Sequence, residues 1–477
     1  MSLLYSTKVL LAFIIFLTTL SLVGLPIVFV ILRWKYAKEK RKRKVKKLQV
    51  GLFHPYCNAG GGGEKVLWVA LQILQERYPT AEFYIYTGDI EATPIEIIEK
   101  VKNNLNVSLV NDNVKFIYLH KRKWLEAPMY PYFTLLCQSL GSLYLGFEAL
   151  NQLNPDIFID TMGYTFTLPL FKYLGGCKTG CYVHYPTITT EMLRRVSNRV
   201  AMYNNHSVIA RSPFLTAGKI FYYQIFAALY SWAGQCSDVT LVNSTFTFEH
   251  LNNIWCQPLH LVYPPCDVEH LKNMPRGSRQ LQKIRILSLA QFRPEKDHPL
   301  QLQAMYELRE IIPEELFANV ILVMCGSCRN ADDRMRVKDL QDLSKHLSLE
   351  NNVEFRINIT YEELLQEFRN AYLGIHTMLD EHFGIGVVEL MAAGLITIAH
   401  KSGGPLLDII ETSEGSRLGF LAVSSEEYAH MVKYILYLSE DEVRGIRDRA
   451  RASVDRFSTK KFQDEFLRAT EPLFKPL

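Results

Sequence analysis

The chain has 477 residues, of which 48% are hydrophobic and 21% charged, and a formal net charge of +4. Because a single core rarely grows past roughly 250 to 300 residues, this length and composition predict two domains. The positive charge is concentrated in residues 33–47 and the remainder is acidic, which argues against a nucleic-acid-binding surface. Nine cysteines, an odd number spread along the chain, argue against a disulfide framework.

Residues 9–32 contain no charged side chain, and this stretch is longer than the roughly 20 residues needed to span a bilayer. The run 33–47 follows, in which Glu39 is the only acid. Positive charge marks the cytoplasmic side of a membrane. We therefore expect residues 1–8 on the far side and everything after Arg33 in the cytosol. A nucleic-acid-binding role for the run is less favoured, because basic residues beside a span attract anionic headgroups and fix the topology.

Strands and helices alternate from residue 48 to the end, which favours parallel sheets with helices on both faces. The first apolar strand, 48–53, leads into a loop with four consecutive glycines, Gly60, Gly61, Gly62 and Gly63. Such a loop lets the backbone approach a bulky or charged ligand without intervening side chains. It fits neither G-x-G-x-x-G nor a P-loop. Taken alone, it is either a flexible turn or a ligand-facing loop.

Further strands of the first domain are predicted at 82–87, 114–119, 156–160 and 179–184. His184 ends the last of these strands, and in open α/β sheets ligands gather at the carboxyl edge. A histidine after an apolar strand is more often a satisfied structural residue, but this edge position makes a ligand-binding role about equally favoured.

Two segments of the first domain, 132–153 and 220–233, are apolar all round, with only Glu148 charged in the first and no charge in the second. The favoured interpretation is a pair of buried helices. The alternative is a pair of helices in the membrane interface, since both are rich in aromatic residues. Neither is expected to span the membrane.

The strand 238–243 and the helix 245–255 complete the first domain. The second domain opens with the strand 284–290, after which Arg293 and Lys296 stand at the start of a helix. Two cations and the N–H groups of a helix start suit a diphosphate. From this segment alone, solvated surface charges are an equally good interpretation.

Two cysteine pairs have spacings seen in metal or redox sites. Cys325 and Cys328 form a C-x-x-C run, and Cys177 and Cys181 form a second pair. Neither pair has histidines nearby at ligand spacing, so we expect no metal site.

The run 380–399 places two carboxylates around a glycine-bearing helix start. Gly384 releases the backbone before the helix, and Gly394 ends it. Free N–H groups at the helix start suit a phosphate, and Glu381 and Glu389 can each accept two hydroxyl hydrogen bonds. Each carboxylate alone is more often solvated or merely favoured by the helix dipole. Together they suit a sugar nucleotide, which offers both phosphates and hydroxyls.

Four runs carry a resemblance to a known family. They are His-Pro-Tyr-Cys-Asn-Ala-Gly-Gly-Gly-Gly-Glu at 54–64, Tyr-Val-His-Tyr-Pro-Thr at 182–187, Phe-Arg-Pro-Glu-Lys-Asp-His at 292–298, and the two glutamates with seven residues between them at 381–389. From residue 48 onward the chain resembles the retaining glycosyltransferases of family 4. Within that family it is similar to the α-1,2-mannosyltransferases that use GDP-mannose and a dolichol-diphosphate oligosaccharide in N-glycan precursor assembly.

The resemblance implies an α/β fold with two Rossmann-like domains facing across a cleft, the GT-B architecture, and it assigns roles to the acidic run. Glu381 would hold the mannosyl ring and Glu389 the ribose diol. The N–H groups of His382, Phe383 and Gly384 would bind the phosphates.

Other roles follow from the same resemblance. Lys296 would neutralise the leaving diphosphate, His184 would touch the sugar from the opposite domain, and the glycine loop would border donor and acceptor. Many family members place an arginine five or six residues before this lysine, whereas Gln291 stands five before it here. Arg293, three before it, either substitutes or points elsewhere.

The resemblance also implies retention without a carboxylate nucleophile, the leaving phosphate taking the acceptor proton. Lys296 and the helix start would replace a metal, so we expect no cofactor besides the donor substrate, GDP-mannose. The expected location is the endoplasmic reticulum membrane, with a single span, cytosolic catalytic domains and other mannosyltransferases of the pathway as candidate partners. One alternative is a related enzyme using another nucleotide sugar or lipid acceptor. The other is a non-catalytic, membrane-tethered protein that binds a glycan lipid.

The expected membrane-proximal divisions of the chain are a short lumenal N-terminus at 1–8, a transmembrane helix at 9–32 and a basic segment at 33–47. An acceptor-binding and membrane-facing Rossmann-like domain is expected at 48–265, followed by a linker at 266–283 and a nucleotide-sugar domain at 284–456. The last division is a C-terminal helix at 457–477 that is expected to return to the first domain.

Overall fold

The computed structural model describes residues 23–43, 47–188, 213–274, 283–411, 413 and 415–475. Several expected segments fall outside these ranges: the N-terminus at 1–8, positions 9–22 of the transmembrane helix, positions 44–46 of the basic segment and positions 275–282 of the linker.

The chain forms two compact units. The first comprises the described residues up to Leu241, Leu251–His260 and the end of the chain from Ala469, and the second comprises Val242–His250 and Leu261–Arg468. Thr245 belongs to the second unit because its backbone N–H donates to the buried carboxylate of Asp408, at 3.0 and 3.2 Å from the two oxygens.

The first sheet has seven strands in the order β3-β2-β1-β4-β5-β6-β7. They are β1 Gln49–Phe53, β2 Glu82–Thr87, β3 Val114–Tyr118, β4 Ile157–Asp160, β5 Lys178–Val183, β6 Val239–Val242 and β7 His260–Leu261. Strands β1 to β5 pair in parallel. Parallel pairing puts the ends of β1, β4 and β5 side by side at one edge, which positions the loops that follow them.

Helices accompany this sheet as the alternating pattern predicts. The longer ones are Leu25–Arg41, Gly62–Arg77, Pro94–Leu105, Thr134–Gln152, Pro213–Gly234 and Thr245–Trp255, and the short turns are Asn111–Asn113, Arg122–Leu125, Ala127–Met129, Thr167–Pro169 and Leu170–Gly175. The start of Pro94–Leu105 shows how the sequence fixes such a boundary. Thr93 accepts from the N–H of Glu96, and the Glu96 carboxylate accepts from the N–H of Thr93, so two helix-end donors are satisfied.

The second sheet has six strands in the order β10-β9-β8-β11-β12-β13. They are β8 Ile284–Leu289, β9 Val320–Gly326, β10 Val353–Ile357, β11 Leu373–His376, β12 Ile396–His400 and β13 Phe420–Ala422, and all their pairings are parallel. Buried apolar clusters pack on both faces of the sheet. The prediction of two parallel-sheet α/β units is confirmed.

The helices and shorter turns of the second unit are Val268–Lys272, Pro294–Lys296, His298–Ile311, Glu314–Phe317, Ala331–His346, Tyr361–Asn370, Ile385–Ala392, Pro405–Ile409, Ser425–Leu436, Glu440–Ser453 and Val454–Phe457. The helix Ile385–Ala392 ends as the sequence predicts. Gly394 has φ +84°, and the N–H of Leu395 donates back to the carbonyl of Leu390.

The helix Leu25–Arg41 is anchored to the first unit by its C-terminal half. Tyr36 is fully buried, and its hydroxyl donates to Asn151 Oδ1 at 2.8 Å. Three basic side chains of the run predicted to face headgroups also contact this unit: Arg33 donates to the carbonyls of Lys172 and Leu174, Lys40 to the carbonyl of Gly176, and Arg43 to Asp156. The juxtamembrane run therefore has a structural role that its composition does not reveal.

No helix within the described ranges combines the length and the apolar character needed to cross a bilayer. The transmembrane helix expected at 9–32 stays a prediction, because its first fourteen positions lie outside those ranges.

The two apolar helices of the first unit, Thr134–Gln152 and Pro213–Gly234, are not buried on every side. In the second helix Tyr223, Phe226 and Tyr230 are buried, whereas Phe221, Ile225, Leu229 and Trp232 are 42 to 64% exposed. In the first helix Leu140 and Tyr144 are exposed. Of the two interpretations, that of buried helices therefore fails for one face of each. Contiguous exposed apolar side chains of this kind mark an interaction surface.

The last helix, Thr459–Phe474, begins in the second unit and ends in the first. The Phe474 ring stacks on Tyr78, with ring centres 4.1 Å apart, and the Lys178 ammonium donates to the carbonyl of Pro472 at 3.4 Å.

Candidate active site

Glu381 lies in the loop between β11 and the helix Ile385–Ala392, and its side chain is 14% exposed. Its Oε2 accepts from Lys296 Nζ at 2.5 Å and lies 3.1 Å from His376 Nε2. Burial alone would raise the pKa of this carboxyl. The hydrogen bonds and positive charge of His376 and Lys296 lower it instead, well below its usual range. Glu381 is therefore an anion held by two donors.

Lys296 is brought to Glu381 by a contact between two strand ends. It follows β8, and the Thr377 hydroxyl, just past β11, lies 2.9 Å from the Lys296 carbonyl and 3.1 Å from that of Asp297. Gln301 donates to the same hydroxyl at 2.9 Å. The sequence predicts both Lys296 and Glu381 as site residues, and the structure brings them together.

Arg293 is not part of this cluster. Its guanidinium lies 3.5 Å from Glu295, and its Nε has no hydrogen-bond partner within the described part of the chain. The described residues show no ion pair between Arg293 and Glu381 or Glu389. A donor-binding role for Arg293 stays a prediction, as does the alternative that it points elsewhere.

The loop after Glu381 leads into a helix start with available N–H groups. The His382 ring packs edge to face against the Phe246 ring, with ring centres 5.7 Å apart. Phe383 is buried, so the Phe383 side chain is not available to a ligand. Gly384 has φ +109° and precedes the helix. Across the described ranges, no hydrogen-bond acceptor is found for the N–H groups of Gly384, Ile385 and Gly386. This start has the free donors that an anion site requires.

A second glycine turn supports this loop from behind. The N–H of Gly404 donates to the Glu381 carbonyl at 2.7 Å. A Cβ on Gly403 would lie 2.2 Å from the same oxygen, so only glycine fits. Ser402 accepts from the N–H of Asp380 at 2.7 Å. The backbone of Glu381 is thus fixed independently of its side chain.

Glu389, in the second turn of the helix, is partly exposed. Burial raises the pKa of Tyr361 above its usual range, and the negative charges of Asp267 and Glu389 contribute to that rise. Tyr361 donates to Asp267 at 3.3 Å and lies 3.0 Å from His270 Nδ1. Sequence reasoning missed Tyr361, Asp267 and His270, because they come from the starts of two separate helices, Val268–Lys272 and Tyr361–Asn370, without a shared motif.

In the first unit, three strand ends bring two histidines together. His54 follows β1, Thr161 follows β4 and His184 follows β5. Nδ1 of His54 lies 2.8 Å from the Thr161 hydroxyl, and Nε2 of His184 lies 2.9 Å from the Thr161 carbonyl. Burial, and then the charge of His54, lower the pKa of His184 to about 4, so it is neutral at pH 7. Sequence reasoning found His184 but missed Thr161, although each of the three follows a parallel strand.

The glycine loop lies beside this cluster. Gly60 has φ +77°, and Gly61 caps the helix Gly62–Arg77 by donating its N–H to Glu64 at 2.7 Å. A Cβ on Gly63 would lie 3.7 Å from His184 Nε2. The predicted loop and the predicted histidine are therefore neighbours in one unit.

All nine cysteines are free, and the described residues contain no cluster of three or more histidine, cysteine or acidic side chains that could hold a metal ion. The prediction of a metal-independent site is not tested by these observations.

Comparisons with known proteins match both units to glycosyltransferases. Residues 47–255 match the family described as ALG11 mannosyltransferase N-terminus, and residues 272–471 match Glycosyl transferases group 1. A Homo sapiens protein named GDP-Man:Man(3)GlcNAc(2)-PP-Dol alpha-1,2-mannosyltransferase is 49% identical over 89% of this chain and 87% of its own length. The chain belongs to this mannosyltransferase family.

Further family members carry the same name. The Xenopus laevis protein is 48% identical over 95% of both chains, and the Dictyostelium discoideum protein is 46% identical over 91% of this chain and 86% of its own. The predicted family is confirmed, and the chain is a glycosyltransferase.

Solved structures agree on the fold alone. A glycosyltransferase from Rickettsia africae has a TM-score of 0.60 at 14% identity, covering 91% of this chain and all of that one. A sucrose-phosphate synthase from Thermosynechococcus elongatus has a TM-score of 0.63 at 15% identity, covering 90% of this chain and 99% of that one. The two parallel-sheet units of this family member are those of GT-B glycosyltransferases.

Proposed function

We propose that the chain is a retaining α-1,2-mannosyltransferase that moves mannose from GDP-mannose to a dolichol-diphosphate-linked oligosaccharide during N-glycan precursor assembly. The name shared by relatives that are 40 to 49% identical over most of the chain, GDP-Man:Man(3)GlcNAc(2)-PP-Dol alpha-1,2-mannosyltransferase, supports both substrates. The observation that carries the proposal is the Glu381 carboxylate, fixed by Lys296 and His376 beside a helix start with free N–H groups.

The second unit binds the donor in this proposal. Lys296 binds the diphosphate, because a phosphate offers the ammonium a stronger partner than a single carboxylate does. The backbone N–H groups from His382 to Gly384 add donors to the same phosphates, with Phe383 serving only through its backbone. Glu381 accepts from mannosyl hydroxyls and Glu389 from the ribose diol.

The reaction forms one C–O bond and breaks another at the same sugar carbon. As the acceptor hydroxyl approaches, the C1–O bond to the diphosphate breaks, and the leaving phosphate oxygen takes the hydroxyl proton. The new bond forms on the face that the phosphate leaves, so the configuration is retained. Glycosidases need two carboxylates that flank the bond. Here the donor already carries a good leaving group, and the site contributes electrostatic stabilisation and orientation.

The first unit contributes His184 and the glycine loop to sugar and acceptor recognition. His184 is neutral at pH 7, so it serves as a hydrogen-bonding group rather than as an acid. Gly60 to Gly63 leave the backbone open for close approach of a ligand.

We also propose that the protein is held at the cytosolic face of the endoplasmic reticulum membrane by a single span at 9–32. The exposed apolar residues at the start of Leu25–Arg41 and the exposed stripe of Phe221, Ile225, Leu229 and Trp232 support a membrane-facing first unit. Other mannosyltransferases of the pathway stay predicted partners.

No metal is needed in this proposal, because Lys296 and the helix start carry the positive charge that faces the leaving diphosphate. Transfer should continue in excess EDTA. A loss of activity restored by a divalent cation would overturn this part of the proposal.

The decisive experiment incubates the purified full chain with labelled GDP-mannose and a dolichol-diphosphate oligosaccharide that ends in mannose, followed by linkage analysis. UDP-linked sugars are offered in parallel. We expect α-1,2-linked mannose from GDP-mannose alone. Transfer only from a UDP donor would assign another sugar nucleotide, and binding of the glycan lipid without transfer from any donor would identify a non-catalytic protein.

A further inference from the structure

His376 is the last residue of β11 and lies outside all four runs that carry the family resemblance. It is 4% exposed, and its carbonyl accepts from the Tyr428 hydroxyl at 2.8 Å. Its imidazole Nε2 lies 3.1 Å from Glu381 Oε2. Because an ionised carboxylate only accepts hydrogen bonds, Nε2 must carry the proton of this contact.

His376 and Lys296 approach the same oxygen of Glu381. Both contacts are to Oε2, at 3.1 and 2.5 Å, and within the described ranges no group donates to Oε1. One oxygen of the carboxylate is therefore fixed from the protein side. The other is left to accept from a ligand hydroxyl, since each carboxylate oxygen has its own lone pairs.

The two donors differ in how firmly they are held. Lys296 Nζ ends a flexible side chain, and among the described residues its only hydrogen-bond partner besides Glu381 is the Met378 sulfur, a weak acceptor, at 3.1 Å. The His376 ring is buried, and the backbone of His376 is held within the sheet by its pairing with Ala399 of β12. A phosphate that enters the site can attract the ammonium away from Glu381, but it cannot displace the ring.

We infer that His376 is a positioning residue that keeps Glu381 charged and oriented when Lys296 turns from Glu381 to the donor diphosphate. The inference rests on the proposed roles of Glu381 and Lys296. Without the imidazole, binding of the sugar nucleotide would leave Oε2 of Glu381 with no hydrogen-bond donor. The carboxylate would then rotate or take a proton when its other oxygen is needed to bind the sugar. A hydrogen bond to a charged group is worth about 1.5 to 3 kcal/mol, which corresponds to about 10- to 100-fold in rate.

The test is a double-mutant cycle on the full chain with labelled GDP-mannose. His376→Ala is expected to lower kcat/KM by about 10- to 100-fold. His376→Gln, whose side-chain amide N–H takes the place of Nε2–H, is expected to recover activity to within about threefold of wild type. The double variant, with both His376→Ala and Glu381→Ala, is expected to have a kcat/KM within about threefold of that of Glu381→Ala alone. The reason is that the carboxylate that His376 positions is already absent. Where turnover of the double variant is too slow to measure, the dissociation constant for GDP-mannose replaces it in the cycle.

Tyr428→Phe is the matched control, because it removes a buried hydrogen bond to the same residue but leaves the imidazole contact in place. It is expected to lower the unfolding temperature and to leave kcat/KM within about threefold of wild type. A purely structural role for His376 would give additive losses in the cycle and no rescue by glutamine, and either result overturns the inference. The wild-type protein in the same assay tests the proposed function separately, since a wild type without mannose transfer would defeat that function whatever His376 does.

Discussion

Replacing Glu381 by alanine should have two separable effects. Its carboxylate is 14% exposed and pairs at 2.5 Å with Lys296, which is 20% exposed. Removing one partner of a buried ion pair costs about 3 to 5 kcal/mol, because it leaves an uncompensated charge. Since both side chains keep some access to water, we expect the lower end, about 3 kcal/mol in the free energy of unfolding.

The effect on catalysis should be larger than stability alone explains. Glu381 holds the sugar on which positive charge develops, and loss of one such contact lowers the rate by about 100-fold or more. This is about 2.7 kcal/mol in activation free energy. The assay is mannosyl transfer to the dolichol-linked acceptor, at a temperature where denaturant unfolding shows the variant fully folded.

Glu354→Ala is the matched control for the loss of a paired carboxylate. Glu354 pairs with Arg285 at 2.8 Å, and both residues lie near the beginnings of their strands, whereas Lys296 and Glu381 follow the ends of theirs. Glu354→Ala should lose less stability than Glu381→Ala, because Arg285 keeps its ion pair with Glu367 at 2.9 Å, and it should show no loss of kcat/KM. A folded Glu381→Ala protein that keeps more than a third of wild-type kcat/KM would refute the assignment of this carboxylate.

Three further predictions follow from the same site. Lys296→Ala should raise the KM for GDP-mannose at least about tenfold, whereas Lys345→Ala, at an exposed ion pair, should leave it unchanged in the same transfer assay. Gly403→Ala should lower kcat/KM at least about tenfold, because the added Cβ would clash with the Glu381 carbonyl. Its control is Gly415→Ala, which should keep full activity because Gly415 also has a positive φ but has open space around it. Burial and the nearby cations lower the pKa of His298 from 6.5 to about 4. Between these two pH values the unfolded chain binds a proton at His298 that the folded chain does not bind, so the folded state loses stability as the pH falls. Denaturant unfolding at pH 7 and pH 5 should show His298 contributing a loss of about 2 kcal/mol, and His298→Phe should remove that contribution; an unchanged pH dependence would contradict it.

The order of strands and helices was readable from the sequence because each buried parallel strand is a short apolar run between turn residues. The structure keeps β2 at Glu82–Thr87 as predicted and shortens β3 by one residue, to Val114–Tyr118. The helix start of the acidic run was readable for a related reason. Gly384 and the N–H groups after it act through backbone geometry that adjacent residues specify, so one stretch of sequence contains this part of the site.

The partners of that run were readable only in part. His376 was missed although it lies only five residues before Glu381. Lys296 was predicted as a site residue, but its contact with Thr377 forms because β11 lies next to β8 in the sheet, and strand order is a property of the whole fold. The same holds for Thr161, which joins His54 to His184 only because β4 lies between β1 and β5. Periodicity gives the elements, but it does not say which ends become neighbours.

The apolar helices show a different limit. A helix without charges can be buried or can face lipid, and composition does not distinguish the two faces of Pro213–Gly234. The structure separates them, with Phe226 inside and Phe221 outside. The basic run was likewise ambiguous, because Arg33 and Arg43 look identical in sequence whether they face headgroups or carbonyl groups of the first unit.

The docking of Tyr36 into the first unit sets a practical limit on shortening this protein for work in solution. A version that begins at residue 48, where the apolar strand starts, would lack this buried ring and would leave Asp156 without Arg43. The surface that this ring covers would then be exposed to solvent, and Asn151 would lose its hydrogen bond from the Tyr36 hydroxyl. Trimming should stop ahead of Leu25, so that the whole helix is retained and detergent covers only its outer end.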